Sequence, residues 1–215
     1  MILSDKNLCV ICGINEASTV DHVPPKGIFP RPRPANLITV PACSGCNNNA
    51  STLDEAFRLY LALHVGDLED QITENYFNEA LRTYVHNQRL QREVLTNAEE
   101  IKCVNKNGEY IGQGLKVKWD SEAHDEIIER TVRGLYYHHY GDILGNEVVV
   151  SPKWFNRPDK NFVSMLKGLP VNHIGERQVS YTYGRAEESP LNSIWFFEFY
   201  ERHWAGATTG PVKQK

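Results

Sequence analysis

Residues 9–12 read Cys-Val-Ile-Cys, residues 21–25 read Asp-His-Val-Pro-Pro, and residues 43–49 read Cys-Ser-Gly-Cys-Asn-Asn-Asn. Two Cys-x-x-Cys turns therefore bracket an Asp-His pair. Each turn points its two sulfurs the same way, so Cys9, Cys12, Cys43 and Cys46 can close a tetrahedral shell around one zinc ion. Two disulfides are the competing reading, but adjacent turns of this kind are poor disulfide partners, and nothing in the chain points to an oxidising compartment. A structural zinc contributes on the order of 10 kcal/mol to folding. Metal can thus replace a core in residues 9–49, which lack periodicity and are rich in Pro, Gly and Asn. The fifth cysteine, Cys103, falls in an expected strand and reads as a small core residue.

A chain of 215 residues can bury a full core, as one domain or as a domain with a small module. No apolar run is long enough to cross a membrane. Met1 is followed by Ile-Leu-Ser-Asp-Lys, too short and too soon charged for a signal peptide, so a soluble, cytoplasmic protein is expected. A net charge of −4 argues against a general electrostatic nucleic-acid binder. The charge is uneven, however. Residues 51–100 carry ten acidic and four basic side chains, whereas 151–185 carry six basic and two acidic. A polyanion would meet that second region, through residues such as Lys160 and Lys167, and the loop of Lys26, Arg31 and Arg33.

Periodicity predicts the scaffold. Ser51-x-x-Asp54 and Thr52-x-x-Glu55 are capping-box patterns ahead of helical spacing, giving a helix over 51–65, with Asp54 and Glu55 in its first turn. Further helices are expected over 67–87 and 89–99, and another capped by Ser121 and ending near Gly141. Between them, Asn107-Gly108 reads as the turn of a hairpin pairing 101–104 with 110–119. Strands are expected over 147–150, 178–183 and 194–200. The aromatic run of 195–200 belongs deep in a sheet, and Tyr136-Tyr137-His138-His139-Tyr140 reads as a packed helix end, since adjacent helical histidines diverge by about 100°.

The order Cys-x-x-Cys, Asp-His-x-x-Pro, Asn-Leu, Cys-x-x-Cys-Asn over roughly residues 9–60 resembles the HNH endonuclease family and its ββα-metal motif. The resemblance implies an α+β protein: a zinc-stapled, treble-clef-like module over 1–65, then an accessory region over 66–215 of helices and a mainly antiparallel sheet. It implies metal-assisted phosphodiester hydrolysis, with His22 as general base and Asn36 orienting it. Asp21 and Asn47 would hold Mg²⁺ or Mn²⁺, with Asn48 an alternative to Asn47. Two departures stand out: Asn36 lies farther from Asn47 than is usual, and the lysine common after the last Asn is absent.

The physics of the residues agrees with these roles. A neutral imidazole can take a proton from water, and a carboxylate oxygen suits a hard cation rather than thiolate-bound zinc. The expected partner is nucleic acid, DNA ahead of RNA, with a homodimer or protein partner also open. Lys26, Arg31 and Arg33, with Lys160 and Lys167, are the expected substrate contacts. The alternatives are a zinc module that binds nucleic acid or protein without cutting, and a nuclease subunit of a prokaryotic defence or mobile-element system.

Overall fold

A computed structural model describes residues 2–3, 7–65, 70–118 and 121–212. In chain order the elements are β1 (Ile2–Leu3), β2 (Thr19–His22), a 3-10 turn (Lys26–Ile28), β3 (Thr39–Ala42), α1 (Ser44–Val65), α2 (Gln71–His86) and α3 (Gln88–Thr96). There follow β4 (Ala98–Val104), β5 (Tyr110–Val117), α4 (Ser121–Tyr140), β6 (Ile143–Leu144), β7 (Val148–Phe155) and α5 (Lys160–Met165). The chain closes with β8 (Val171–Ile174), β9 (Val179–Arg185), β10 (Ser193–Phe199) and β11 (His203–Pro211). The protein is mixed α+β, and its strands pair antiparallel throughout.

The main sheet has the order β7-β11-β10-β9-β8. β10 is central, and its residues alternate between buried and half-buried. Trp195, Phe197 and Phe199 face a core shared with α1 and α4: Phe57 of α1 meets Phe199, and His139 of α4 stacks on Tyr183. Phe196 turns to the other face, where Phe162 of α5 and Phe155 cover it. The aromatic run is therefore packed on both sides, buried on the core face and half-buried on the other. One hydrophobic cluster joins Cys9, Val10, Val23, Phe29 and Val40 to Ile128, Leu135, Trp195 and Phe197, so apolar packing runs across the 65/66 position.

Several expected boundaries move: the helix expected over 89–99 ends at Thr96, because Ala98 and Glu99 pair with β5 instead, and three others shift for local reasons. α1 begins at Ser44, seven residues before the capping-box serine. Cys43 caps it instead: its sulfur accepts the Cys46 N–H at 3.4 Å, and its carbonyl accepts the Asn47 N–H at 3.0 Å. Ser51 consequently lies inside the helix and bonds back to the Asn48 carbonyl, and Asp54 and Glu55 are interior helix residues. α2 begins at Gln71, capped by Asp70, whose side chain accepts two N–H groups; the expected start at Asp67 lies outside the described residues. β7 continues through Pro152 to Phe155 because it is an edge strand, where a residue without an N–H is tolerated.

The Asn-Gly hairpin forms where its turn residues place it, with Asn105 bonding across the turn to Glu109; Trp119, at the end of its second expected strand, lies outside the described residues. Cys103 departs from expectation. It sits half-buried on this separate two-stranded sheet, not in either core cluster, because the hairpin joins the helices through Val117 at its base. β8 and β11 had no signal: the first is four residues long, and the second, with glycines at 206 and 210, lacks apolar alternation.

Candidate functional site

Cys9, Cys12, Cys43 and Cys46 converge, with sulfurs all within 4.8 Å of one another. A tetrahedral zinc with bonds near 2.3 Å needs sulfurs about 3.8 Å apart, so this donor set could hold a zinc ion. Asn15 Nδ2 lies 3.8 Å from the Cys43 sulfur, adding a second donor to the Cys46 N–H. The Cys46 N–H foremost pulls the Cys43 thiol down to about 6, while burial pushes Cys9 and Cys46 up. A bound cation would favour the ionised form of all four.

The Asp-His pair rides on β2, paired to β3 with His22 opposite Thr39 and Asp21 opposite Val40. Neighbouring side chains of a strand leave opposite faces. Asp21 is buried and turns into the molecule, while His22 is half-buried beside exposed Val20 and Thr39. A glycine makes this position possible: a Cβ on Gly134 of α4 would lie 2.6 Å from both methyl groups of Val23. α4 therefore lies directly against the residue after His22. On the other flank, Tyr200 donates to the Ile28 carbonyl at 2.5 Å and stacks on Tyr76, tying the 26–29 turn to the β10–β11 connection. Tyr200 and Glu201 both have positive φ there, a conformation unusual for bulky side chains and held here by those contacts.

His22 has its pKa lowered, first by burial and then by the charge of Lys26, with Arg33 adding a smaller push; Asp21 opposes them. A lowered pKa keeps the imidazole neutral and able to accept a proton near neutral pH. Lys26 and Arg33 thus belong to the surroundings of His22, and Arg33 Nε donates to the Lys26 carbonyl. Arg31 lies on the same loop, its backbone N–H held by Glu79 of α2.

Asp21 carries more than sequence could show. One oxygen accepts the His22 N–H at 2.8 Å, and the other pairs with Arg130 of α4. Arg130 is also 3.9 Å from Asp54. Burial raises the Asp54 carboxyl to about 7, against the opposing pull of Arg130. Buried Asp21 and Arg130, with half-buried Asp54, thus form a charged cluster beneath β2. Arg130 and Asp54 are the functional candidates that sequence reasoning missed or set aside. An arginine at an apolar-face position of an amphipathic helix was the available signal.

Asn47 lies in the first turns of α1, and its Nδ2 is shared between Thr19 Oγ1 and the Val20 carbonyl, both at 3.2 Å. The helix start is thereby locked to β2. Asn48 is exposed. Asn36 is placed differently from its expected role. Its amide spans the β8–β9 connection, donating to the His173 carbonyl at 3.1 Å and accepting the Gly175 N–H at 3.0 Å. Both bonds hold the accessory sheet to the 24–36 loop.

The main sheet lies between α5 and the α1–α4 side that carries β2. α5, with Phe162, covers the face opposite the one that packs on α1 and α4. Lys167 is exposed just beyond it; Lys160 opens α5, its side chain outside the described residues. Glu55 accepts from Asn87 at 2.7 Å and pairs with Arg89, fixing the α2–α3 junction. His139 lies 2.9 Å from the Tyr181 hydroxyl, and burial lowers it to about 4, while His138 is exposed. Among the described residues, no helix is long and apolar enough to cross a membrane. No protein-family model, curated protein or solved structure matches the chain.

Proposed function

We propose that this chain is a divalent-metal-dependent endonuclease of the HNH kind, hydrolysing phosphodiester bonds of nucleic acid, DNA ahead of RNA. One observation carries the reading. Asp21 and His22 are neighbours on a short strand yet leave it on opposite faces, between two cysteine pairs that could hold zinc and beside a helix start tied to that strand by Asn47. In-line hydrolysis needs both functions near one phosphate, a base for water and charge stabilisation at the leaving oxygen, and adjacent residues can supply them. His22, kept neutral by burial and by Lys26, would take the proton from water. Asp21 and Asn47 would hold Mg²⁺ or Mn²⁺. That ion would polarise the phosphate and offset charge on the leaving oxygen. Lys26, Arg31 and Arg33 would meet phosphates.

A second reading, a zinc module that binds nucleic acid or protein without cutting, draws on two observations. Arg130 already neutralises Asp21, and the Asn36 amide is engaged with the β8–β9 connection. Both readings keep the four cysteines, but only the first needs His22.

The deciding experiment is cleavage of plasmid and oligonucleotide substrates by wild type and His22→Ala, with Mg²⁺, Mn²⁺ or EDTA, while bound zinc is measured in the same samples. The nuclease reading expects metal-dependent cutting by wild type and none by zinc-loaded, folded His22→Ala. Equal cutting by the two proteins would sink His22 as the base. Binding without cutting by zinc-loaded wild type would favour the second reading.

A further inference from the structure

The β4–β5 hairpin stands apart as a two-stranded sheet. Such a sheet is marginal by itself, and three or more strands are normally needed for independent stability. It nevertheless exposes Ile101, Val104, Tyr110, Ile111 and Leu115. Among the described residues, β4 pairs only with β5, and six of its seven residues, Ala98 to Cys103, run in continuous register, with a shift only at Val104. The free edge of β5 is a poorer template. That strand carries the irregularity opposite Cys103 and Val104, and Gly112 has φ of 142°.

We infer that β4 is a dimerisation edge, pairing antiparallel with β4 of a second copy of this chain about a two-fold axis at Ile101. Symmetry and charge select the register. Residues directly opposite in an antiparallel pair share a face, so a two-fold axis normal to the sheet must lie midway between one residue of the strand and its own copy. Centred on Glu100 it would set Glu100 against its own copy, and centred on Lys102 it would do the same to that lysine. Like charges directly opposite are unfavourable. Centred on Ile101, the pairing spans Ala98 through Val104 and sets Glu100 of each copy against Lys102 of the other, twice. The register with the greatest overlap is thus also the one with matched charge. It converts two marginal hairpins into one four-stranded sheet and covers exposed Ile101. The inference does not depend on the nuclease reading.

Sedimentation velocity over a wide dilution series tests it, with four proteins: wild type, Glu100→Lys, Lys102→Glu, and the double exchange Glu100→Lys/Lys102→Glu. All of the changes are at exposed positions, and thermal melts verify folding. Wild type should sediment as a dimer. Each single variant, which sets two like-charge pairs across the axis, should dissociate about tenfold more readily or worse. The double exchange should restore the dimer. Mixing the two single variants should yield a heterodimer, because one copy then presents lysine at both positions to a copy that presents glutamate at both. A monomeric wild type, single variants as tightly dimeric as wild type, or a double exchange that fails to recover would each overturn the proposal.

Discussion

Arg130 of α4 pairs with Asp21 of β2, the residue immediately before His22, across 109 positions of sequence. The arginine and the aspartate are each about nine-tenths buried, and Asp54 lies on the other side of the guanidinium. Helix α4 therefore holds the candidate catalytic strand by charge as well as through the close approach of Gly134 to Val23.

Removing one partner of a buried ion pair leaves the other charged without compensation, which costs about 3–5 kcal/mol. Arg130→Met should lose stability on that scale in urea unfolding of the zinc-loaded protein. Adding Asp21→Asn should recover part of the loss. A single variant as stable as wild type would mean that water reaches the cluster.

Asp54 makes a pH dependence with a definite sign. Its carboxyl stands at about 7 in the fold against an ordinary 3.8, raised by burial. Between those values the native state binds the proton and the unfolded state does not, so the contribution of Asp54 to stability falls as pH rises from about 4 to about 7. Asp54→Asn should therefore stabilise the protein at pH above about 7 and matter least near pH 4. Chemical unfolding across that range measures it, and a difference independent of pH would remove the titration from the account.

Cys43 serves twice, as a candidate zinc ligand and as the cap of α1. Cys43→Ser should release zinc and loosen the β2–β3–α1 module together, since an oxygen ligand in place of one thiolate weakens a soft site. Chelation of the wild-type protein should have the same effect, with a loss of up to about 10 kcal/mol. Zinc content and amide exchange of β2 and β3 report both. Retained protection in a metal-free protein would show that the apolar cluster suffices.

Lys26 and Lys167 should behave oppositely. Lys26→Ala removes a positive charge that depresses His22, so the acid limb of a pH–rate profile should move upward, and binding should weaken with a salt slope shallower by about 0.7–0.9. Lys167→Ala, just beyond α5 on the outer side of the main sheet, should change neither. A Lys167 variant that binds substrate more weakly would show that the polyanion wraps to the outer face.

Sequence determined what is local. Spacing alone brought out the cysteine quartet, because two short turns fix where four sulfurs point, and it brought out the hairpin, because Asn107-Gly108 dictates its own turn. The 3.6-residue period brought out α4, which among the described residues runs from Ser121 to Tyr140. The start of α1 was misjudged because a sulfur cap does not look like a capping box. Tertiary structure decided which side chains meet. Asn36 finds its partners 137 and 139 residues away, and Asp21 finds Arg130 only when α4 crosses β2. Lys167 follows α5 on the outer side of a sheet whose last strand had no pattern to read. Local geometry follows from dihedral preferences a few residues long, whereas these pairings arise when separate elements bury their apolar faces together and carry a few polar groups into contact.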